Sequence, residues 1–199
     1  GTADSYWLAH MDQLKDTPPF DLNDRSWIIH TRTEERPPVR ILRGATVIDS
    51  MLSDGCVIEP GAVVERSVLA PGIHVAKNAV VRESVILTGS VIDEGATVER
   101  TIIDKGVKIR SNARVGGVCE EEILIAMVGK KSIVPAGCVI EPGAVIGPLG
   151  EDFPADPARR NGIDRYAIRL CRESIIIILD FGGAHRHFTS PFPNIRLEG

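Results

Sequence analysis

Five basic residues in the second half of the chain have the type and spacing to bind an anionic ligand. They are Lys105, Arg110, Arg114, Lys130 and Lys131. If the fold brings them to one corner, their ammonium and guanidinium groups could hold a phosphate-bearing ligand. Solvated surface charge is the ordinary alternative for such residues. The sequence alone leaves both interpretations open.

Histidines are the other side chains with possible chemistry. His74 could act as the general base of an acyl transfer if it lay at a subunit junction, although a lone surface histidine is more often only that. His185 and His187 are two possible metal ligands, which is too few to define a site. Phosphate-binding glycine loops of the two common kinds are absent from the sequence. We therefore predict neither a catalytic residue nor a metal site in this chain.

Composition and charge narrow the class of protein. The chain has 199 residues, a formal net charge of -4 and no basic run, so we expect neither nucleic acid nor an acidic membrane as a partner. No apolar stretch approaches the roughly 20 residues of a transmembrane helix. The 4 cysteines form no CxxC pair, and the first residues lack the basic-then-apolar profile that is typical of a signal peptide. We expect reduced thiols, a cytoplasmic location and a longer parent protein.

A 17-residue repeat indicates the elements that must position these side chains. Within each repeat, large aliphatic residues follow one another at steps of 5, 6 and 6. This pattern predicts three short strands per coil, stacked about 4.8 Å apart, in an all-β, left-handed parallel β-helix of the hexapeptide-repeat type. Two columns of the repeat are Val47, Val64, Val81, Val98 and Val115, and Ala62, Ala79, Ala96 and Ala113.

The repeat also predicts the direction of each side chain. Strand residues two apart share a face, so Val81 and Val98 should point inward, whereas Glu65, Arg82 and Glu99 should point outward. A cysteine in the small inward column should behave as a small apolar residue. Corner residues should adopt positive φ. The residues concerned are Cys56 and Cys138 in the column, and Gly61, Asn78, Gly95 and Asn112 at the corners.

Breaks in the repeat predict the organisation of the chain. The repeat stops after Val115 and resumes at Val128, which predicts an excursion near 116–127. Apolar residues at helical spacing predict a short helix in the first 15 residues. We assign a helix and linker to residues 1–40 and the β-helix to 41–148. The repeat predicts no structure for the tail, 149–199.

Several segments resemble bacterial ADP-glucose pyrophosphorylase, also called glucose-1-phosphate adenylyltransferase. The resemblance extends in order from Gly1 to about Ile146 and is most specific in the linker. It rests on four stretches: GTADSYWLAHMD at residues 1–12, PFDL at 19–22, DRSWII at 24–29 and DSMLSDGCVI at 49–58. The chain is thus similar to the C-terminal part of that family.

The resemblance implies a function for the parent protein. Family members join ATP and glucose 1-phosphate into ADP-glucose and pyrophosphate with Mg²⁺, at the start of bacterial glycogen synthesis, and are typically homotetramers. Their catalytic domain precedes the region seen here, so residues 1–40 would be the helix and linker that follow it. The chain itself would hold no cofactor. It would be the regulatory and oligomerisation domain.

The resemblance also implies an allosteric site for a sugar-phosphate or nucleotide effector. The basic residue of the family's IID(K/R) motif is Lys105 here. A second basic residue follows the excursion; Lys130 is the nearest match and Lys131 the alternative. Two other functions stay open: a non-catalytic paralogue subunit of the same enzyme, and a free-standing hexapeptide acyltransferase that uses His74.

Overall fold

The β-helix predicted from the repeat is present. The structure is a computed structural model in which six coils of parallel β-helix extend from Arg40 to Ile146. The predicted fold class is therefore confirmed. The structure describes residues 2–22, 24–27, 35–120 and 122–147, together with the backbone of 165–171, 174–181 and 184–190.

Each coil contributes one strand to each of three sheets. In chain order the strands are β1 (Arg40–Ile41), β2 (Thr46–Ile48), β3 (Met51–Leu52), β4 (Val57–Ile58), β5 (Val63–Glu65), β6 (Val68–Leu69), β7 (His74–Val75), β8 (Val80–Arg82), β9 (Val85–Ile86), β10 (Val91–Ile92), β11 (Thr97–Glu99), β12 (Thr101–Ile103), β13 (Lys108–Ile109), β14 (Arg114–Gly116), β15 (Ala126–Val128), β16 (Ile133–Val134), β17 (Val139–Ile140) and β18 (Val145–Ile146). Sheet A begins with β1, sheet B with β2 and sheet C with β3, and every third strand joins the same sheet.

The core is an aliphatic column inside the prism. Val81 and Val98 are fully buried, while Glu65, Arg82 and Glu99 lie on the outer face, as predicted. The small inward column is also buried and includes both predicted cysteines. Its members are Cys56, Ala62, Ala79, Ala96, Ala113 and Cys138. Burying each valine stabilises the coil by roughly 1.5–3 kcal/mol.

The three corners of the prism differ in the residues that carry positive φ. The corner between sheets A and B holds the four predicted residues, with φ of 76°, 56°, 68° and 58° at Gly61, Asn78, Gly95 and Asn112. The corner between sheets C and A has glycine at the equivalent position of four coils: Gly55, Gly72, Gly89 and Gly106. The corner between sheets B and C instead uses charged residues: Asp49, Arg66, Glu83 and Arg100.

The N-terminal helix predicted from apolar spacing is α1, Ala3–Asp12. Thr2 caps it, because its side chain accepts a hydrogen bond from the Ser5 amide while the Ser5 side chain accepts one from the Thr2 amide. Trp7 and Met11 are buried against the outer face of sheet C. Leu8 is 51% exposed, so the apolar side of α1 is narrower than the sequence suggested.

The fifth coil contains the excursion, which connects β14 to β15 through residues 117–125. Its last residues return to the body of the fold, since Ile125 is buried in the cluster that includes Trp7 and Met11. The excursion therefore ends against α1.

Beyond the coils, the backbone of the tail forms three strands, β19 (Arg165–Cys171), β20 (Ser174–Phe181) and β21 (Ala184–Ser190). β19 pairs in parallel with β17, and the next two pairings are antiparallel. The tail thus extends sheet B by hairpins. These strands do not follow the 17-residue period, so the repeat could not predict them.

Candidate anion-binding corner

The corner between sheets C and A brings the three predicted effector residues into neighbouring coils. Lys105 follows β12, and Lys130 and Lys131 follow β15. Because Ile103 pairs with Val128, Lys105 and Lys130 occupy equivalent positions two residues further on. The Lys131 amide donates a hydrogen bond to the Lys105 carbonyl at 2.9 Å. Adjacent coils lie about 4.8 Å apart, so the three side chains start from one small patch.

Lys131 has an unusual backbone conformation for its place in the fold. It has a φ of 61°, and it stands where the four preceding coils have glycine. A side chain in this left-handed region costs roughly 1–2 kcal/mol relative to the right-handed one. The same conformation occurs at charged residues of the corner between sheets B and C, so it does not by itself mark a functional site. Lys130, the nearest match by the resemblance, and Lys131, the alternative, both stay predictions.

Lys108 is a fourth lysine at this place that sequence reasoning missed. It is the first residue of β13, three residues beyond Lys105, and its side chain is exposed on sheet A. The sequence could have indicated it, because Lys108 and Lys105 are separated by only Gly106 and Val107 in the corner turn. We call Lys105, Lys108, Lys130 and Lys131 the basic corner.

The ammonium groups of the basic corner are unpaired. In the part of the chain that the structure describes, none of the four lysines forms an ion pair, and all four are exposed. The nearest acid in the turn is Asp104, whose carboxylate accepts a hydrogen bond from the Lys105 amide at 2.7 Å. Clustered unpaired ammonium groups attract phosphate or carboxylate groups. Anion binding is thus the chemistry that this corner can perform.

Two of the five basic residues singled out from the sequence lie elsewhere. Arg110 is ion-paired with Asp93 at 3.3 Å between Nη1 and Oδ2. Arg114 belongs to β14 in sheet B. These two therefore do not join the lysines: Arg110 lies beyond β13 with its charge paired, and Arg114 lies on a different sheet.

Arg36, a cationic residue of the linker, lies at the same corner between sheets C and A, on earlier coils. The Arg36 side chain covers Gly72, where an added Cβ would collide with it, and lies close over Gly55. An added Cβ at Gly89 would meet nothing within 4 Å. The glycine corner between sheets C and A is therefore covered by Arg36 at Gly55 and Gly72 and open at Gly89, before the coils that carry the basic corner.

His74 is engaged with an acid on the outer face of sheet A. Its Nε2 lies 2.9 Å from Oε1 of Glu59, and the Lys77 amide donates to the other carboxylate oxygen at 3.1 Å. The His74 hydrogen bond is the main reason that the pKa of Glu59 lies below its ordinary value. The pair fixes the His74 ring on the outer face of sheet A, and the acyltransferase alternative stays a prediction.

The buried cysteines are unreactive by position. Burial raises the pKa of the Cys138 thiol to about 12, and burial also raises the pKa of Cys56. The Cys56 thiol donates to the Ala70 carbonyl at 3.3 Å. Both groups stay protonated at neutral pH. They serve the packing of the coil.

The corner between sheets B and C carries many charges that satisfy one another. Three ion pairs join adjacent coils: Arg82 Nε to Glu65 Oε2 at 3.1 Å, Arg100 Nε to Glu83 Oε2 at 2.7 Å and Arg66 Nη1 to Glu83 Oε1 at 3.7 Å. We call this group the charge ladder; its members are Glu65, Arg66, Arg82, Glu83, Glu99 and Arg100. Its opposite charges alternate, so it offers an anion little net attraction.

Neither a metal site nor a membrane span is found among the described residues. No group of three or more His, Cys, Asp or Glu side chains could hold a metal ion there. None of the described helices is long and apolar enough to cross a membrane.

The fold and the basic corner define a hexapeptide-repeat β-helix protein with a candidate anion site. A family model described as GlmU-like, C-terminal hexapeptide matches residues 38–134. The chain is 59% identical over 58 residues to glucose-1-phosphate adenylyltransferase of Thermomicrobium roseum, which is 29% of this chain and 14% of the relative. The resemblance found in the sequence is therefore confirmed, and this chain is homologous to that enzyme's C-terminal part.

Further relatives carry the same name. The enzyme of Shewanella oneidensis is 45% identical over 74 residues, which is 35% of this chain and 17% of the relative. That of Streptomyces avermitilis is 43% identical over 72 residues, which is 36% of this chain and 17% of the relative. The matched segment thus spans about a sixth of these relatives or less.

Proposed function

We propose that this chain is the regulatory and assembly domain of a glucose-1-phosphate adenylyltransferase, with an effector site at the basic corner. The parent enzyme would make ADP-glucose and pyrophosphate from ATP and glucose 1-phosphate with Mg²⁺. The effector would be a sugar phosphate or a nucleotide, because both present phosphate groups to the lysines.

One observation carries the proposal: among the described residues the four neighbouring lysines of the basic corner form no ion pair, whereas several arginines elsewhere on the coils do. Arg82, Arg100 and Arg110 each have an acidic partner within 3.3 Å. Two like charges about 5 Å apart repel by roughly 1 kcal/mol even in water. A cluster without internal compensation is therefore best explained by an anionic ligand that neutralises it.

Calorimetry of the chain with fructose bisphosphate and with AMP tests the effector site. We expect binding of at least one ligand and a loss of affinity of tenfold or more in Lys105→Ala, since a charged hydrogen bond contributes about 1.5–3 kcal/mol. Lys77→Ala is the matched control, because Lys77 is an exposed lysine at another corner. Equal affinity in Lys105→Ala and Lys77→Ala would contradict the site.

The first coil supports the assembly role. Ile41 occupies the same inward register position as Ile58, yet Ile41 is 52% exposed and Ile58 is fully buried. β1, β2 and β3 are also the first strands of their sheets, so their outer edges lack a preceding coil. Exposed apolar residues beside open strand edges favour association with another chain. We propose a homo-oligomer, a tetramer in the complete enzyme, that uses this end.

Sedimentation velocity tests the assembly role. We expect the chain to sediment as an oligomer and Ile41→Asp to shift it toward the monomer. Ile133→Asp, an equal change at an exposed position on sheet A, should leave the sedimentation unchanged. A wild-type chain that sediments only as a monomer would refute self-assembly of this domain.

A further inference from the structure

We propose that ligand binding at the basic corner is coupled to the docking of α1 on sheet C. This inference rests on the proposed effector site and adds the element through which its occupancy would be transmitted. The two regions share two strands, β12 and β15, which carry α1 on their outer face and the lysines just beyond their ends.

The geometry repeats in the two strands. Ile102 of β12 and Met127 of β15 are register partners, and both belong to the apolar cluster under α1. Lys105 comes three residues after Ile102, and Lys130 comes three residues after Met127. Each lysine is thus joined to the α1 platform by one short segment of chain.

The joint between β12 and β15 is the place where the β-helix is interrupted. The excursion enters the fifth coil immediately before β15, and its last residue, Ile125, is buried beside Trp7. Three residue pairs form the ladder between the two strands, compared with two in each other ladder of sheet C. The platform for α1 therefore depends on how closely these two strands pair.

An anion at the basic corner changes the energy of this joint. Without it, Lys105 and Lys130 repel across the same pair of coils. A bound phosphate attracts both ammonium groups and favours close pairing of β12 with β15. Close pairing in turn presents Ile102 and Ile125 together to Trp7. By linkage, a docked α1 must then favour the bound anion by the same factor.

The helix has a second anchor that fixes its position on the platform. The Trp7 indole Nε1 donates to the Glu83 carbonyl at 2.6 Å. Glu83 itself is held in a left-handed conformation, with φ of 44°, and its carboxylate is paired with Arg100. α1 therefore docks with its Trp7 ring fixed, and movement of the platform changes the packing of that ring.

Hydrogen exchange and tryptophan fluorescence test the coupling in one direction. The chain contains two tryptophans, and Trp27→Phe leaves Trp7 as the only reporter. We expect saturating fructose bisphosphate, or inorganic pyrophosphate as a minimal probe, to slow amide exchange in residues 3–12 and to shift Trp7 emission to the blue. Lys105→Ala should abolish both responses.

The reverse direction uses affinity as its readout. Trp7→Ala should weaken ligand binding about fivefold or more, the lower range for coupled sites, although Trp7 lies away from the lysines. Leu8→Ala, on the exposed side of α1, is the matched control and should leave affinity unchanged. Met11→Ala repeats the test at a second buried position, and thermal unfolding checks that each variant retains the β-helix.

The two possible failures are distinguishable. If neither probe binds the chain, the effector site itself is wrong. If a probe binds with Lys105-dependent affinity, but α1 exchange and the affinity of Trp7→Ala and Met11→Ala are unchanged, the site stands and the coupling is wrong. Equal weakening by Leu8→Ala would also contradict the coupling through the buried face.

Discussion

Two corners of the same prism treat charge in opposite ways. At the corner between sheets B and C, the charge ladder pairs each arginine with an acid of the neighbouring coil. At the corner between sheets C and A, the basic corner has four exposed lysines without ion pairs among the described residues. The backbone stacks coils at the same spacing in both places. The difference shows that repeat geometry concentrates charge, while sequence decides whether the charge is satisfied within the chain.

The two corners also differ in how the backbone is supported from inside. Below the charge ladder, Ser50, Ser67, Ser84 and Thr101 form a column in which each hydroxyl donates to the carbonyl two residues earlier. The first three of these hydroxyls also accept the amide of the next member of the column. This column fixes the left-handed turns that carry the ladder. At the corner between sheets C and A, the inner hydroxyls of Ser90 and Ser132 instead donate to carbonyls of the next coil, those of Asp104 and Gly147.

The largest expected effect is the difference in stability loss between a substitution in the core and one on the charged outer surface. Val81→Asp should destabilise the fold by more than about 3 kcal/mol, because it removes an apolar side chain and places an acid in the aliphatic column. Arg82→Gln, one residue away on the outer face, loses only the exposed ion pair with Glu65 and should change stability by less than about 1 kcal/mol. Chemical denaturation measures both, and similar losses would mean that the strand register is wrong.

The next effect tests the inner hydroxyl column of the charge ladder. Ser84→Ala should cost about 1–3 kcal/mol, because the Arg82 carbonyl and the Thr101 amide lose a buried partner. Ser111→Ala is the control, since that side chain forms no hydrogen bond with the described residues. Equal midpoints in urea for the two variants would show that the column contributes nothing.

A smaller effect distinguishes the backbones of the two corners. Lys131→Gly should raise stability by up to about 1 kcal/mol in the absence of ligand, because glycine tolerates positive φ. Arg66→Gly has the same backbone change, but it loses the ion pair with Glu83 and should gain less. Thermal unfolding measures both variants. A larger gain in stability from Arg66→Gly than from Lys131→Gly would contradict a stabilising ion pair between Arg66 and Glu83.

The smallest effect concerns charge alone. Glu83→Gln should cost about 0.2–1 kcal/mol, and the cost should shrink as salt screens the arginines. Lys130→Gln should instead be neutral or slightly stabilising without ligand, since it removes repulsion from Lys105. Denaturant titrations at low and high salt check the pair. A stabilising Glu83→Gln or a clearly destabilising Lys130→Gln would contradict the view that charges are paired at the charge ladder and unpaired at the basic corner.

Much of the coil could be predicted from the sequence, because side chains alternate along each strand and the coil length is constant at 17 residues. That constancy fixed the inward direction of Val81 and the positive φ of Asn78 and Asn112. The candidate site was predicted less completely. Lys105 was found through the resemblance, whereas Lys108 was missed because its neighbours alternate apolar and polar like any strand.

The excursion limited prediction most strongly. Lys108 and its register partner Ile133 are 25 residues apart instead of 17. The sequence does not show which of the intervening residues form the extra eight that lie outside the coil. The choice between Lys130 and Lys131 depended on that register. Outside the repeat no period predicts burial, and the large apolar side chain of Trp27 in the linker is 70% exposed.

By itself the sequence determined the β-helix, its core columns and the relationship to glucose-1-phosphate adenylyltransferases, because a short period repeats local information in every coil. Only the tertiary structure decided which charges are paired, that Lys105 and Lys130 share one corner, and that α1 lies on the same two strands. Those facts depend on contacts between residues far apart in the chain, and stacking of coils, rather than local pattern, creates them.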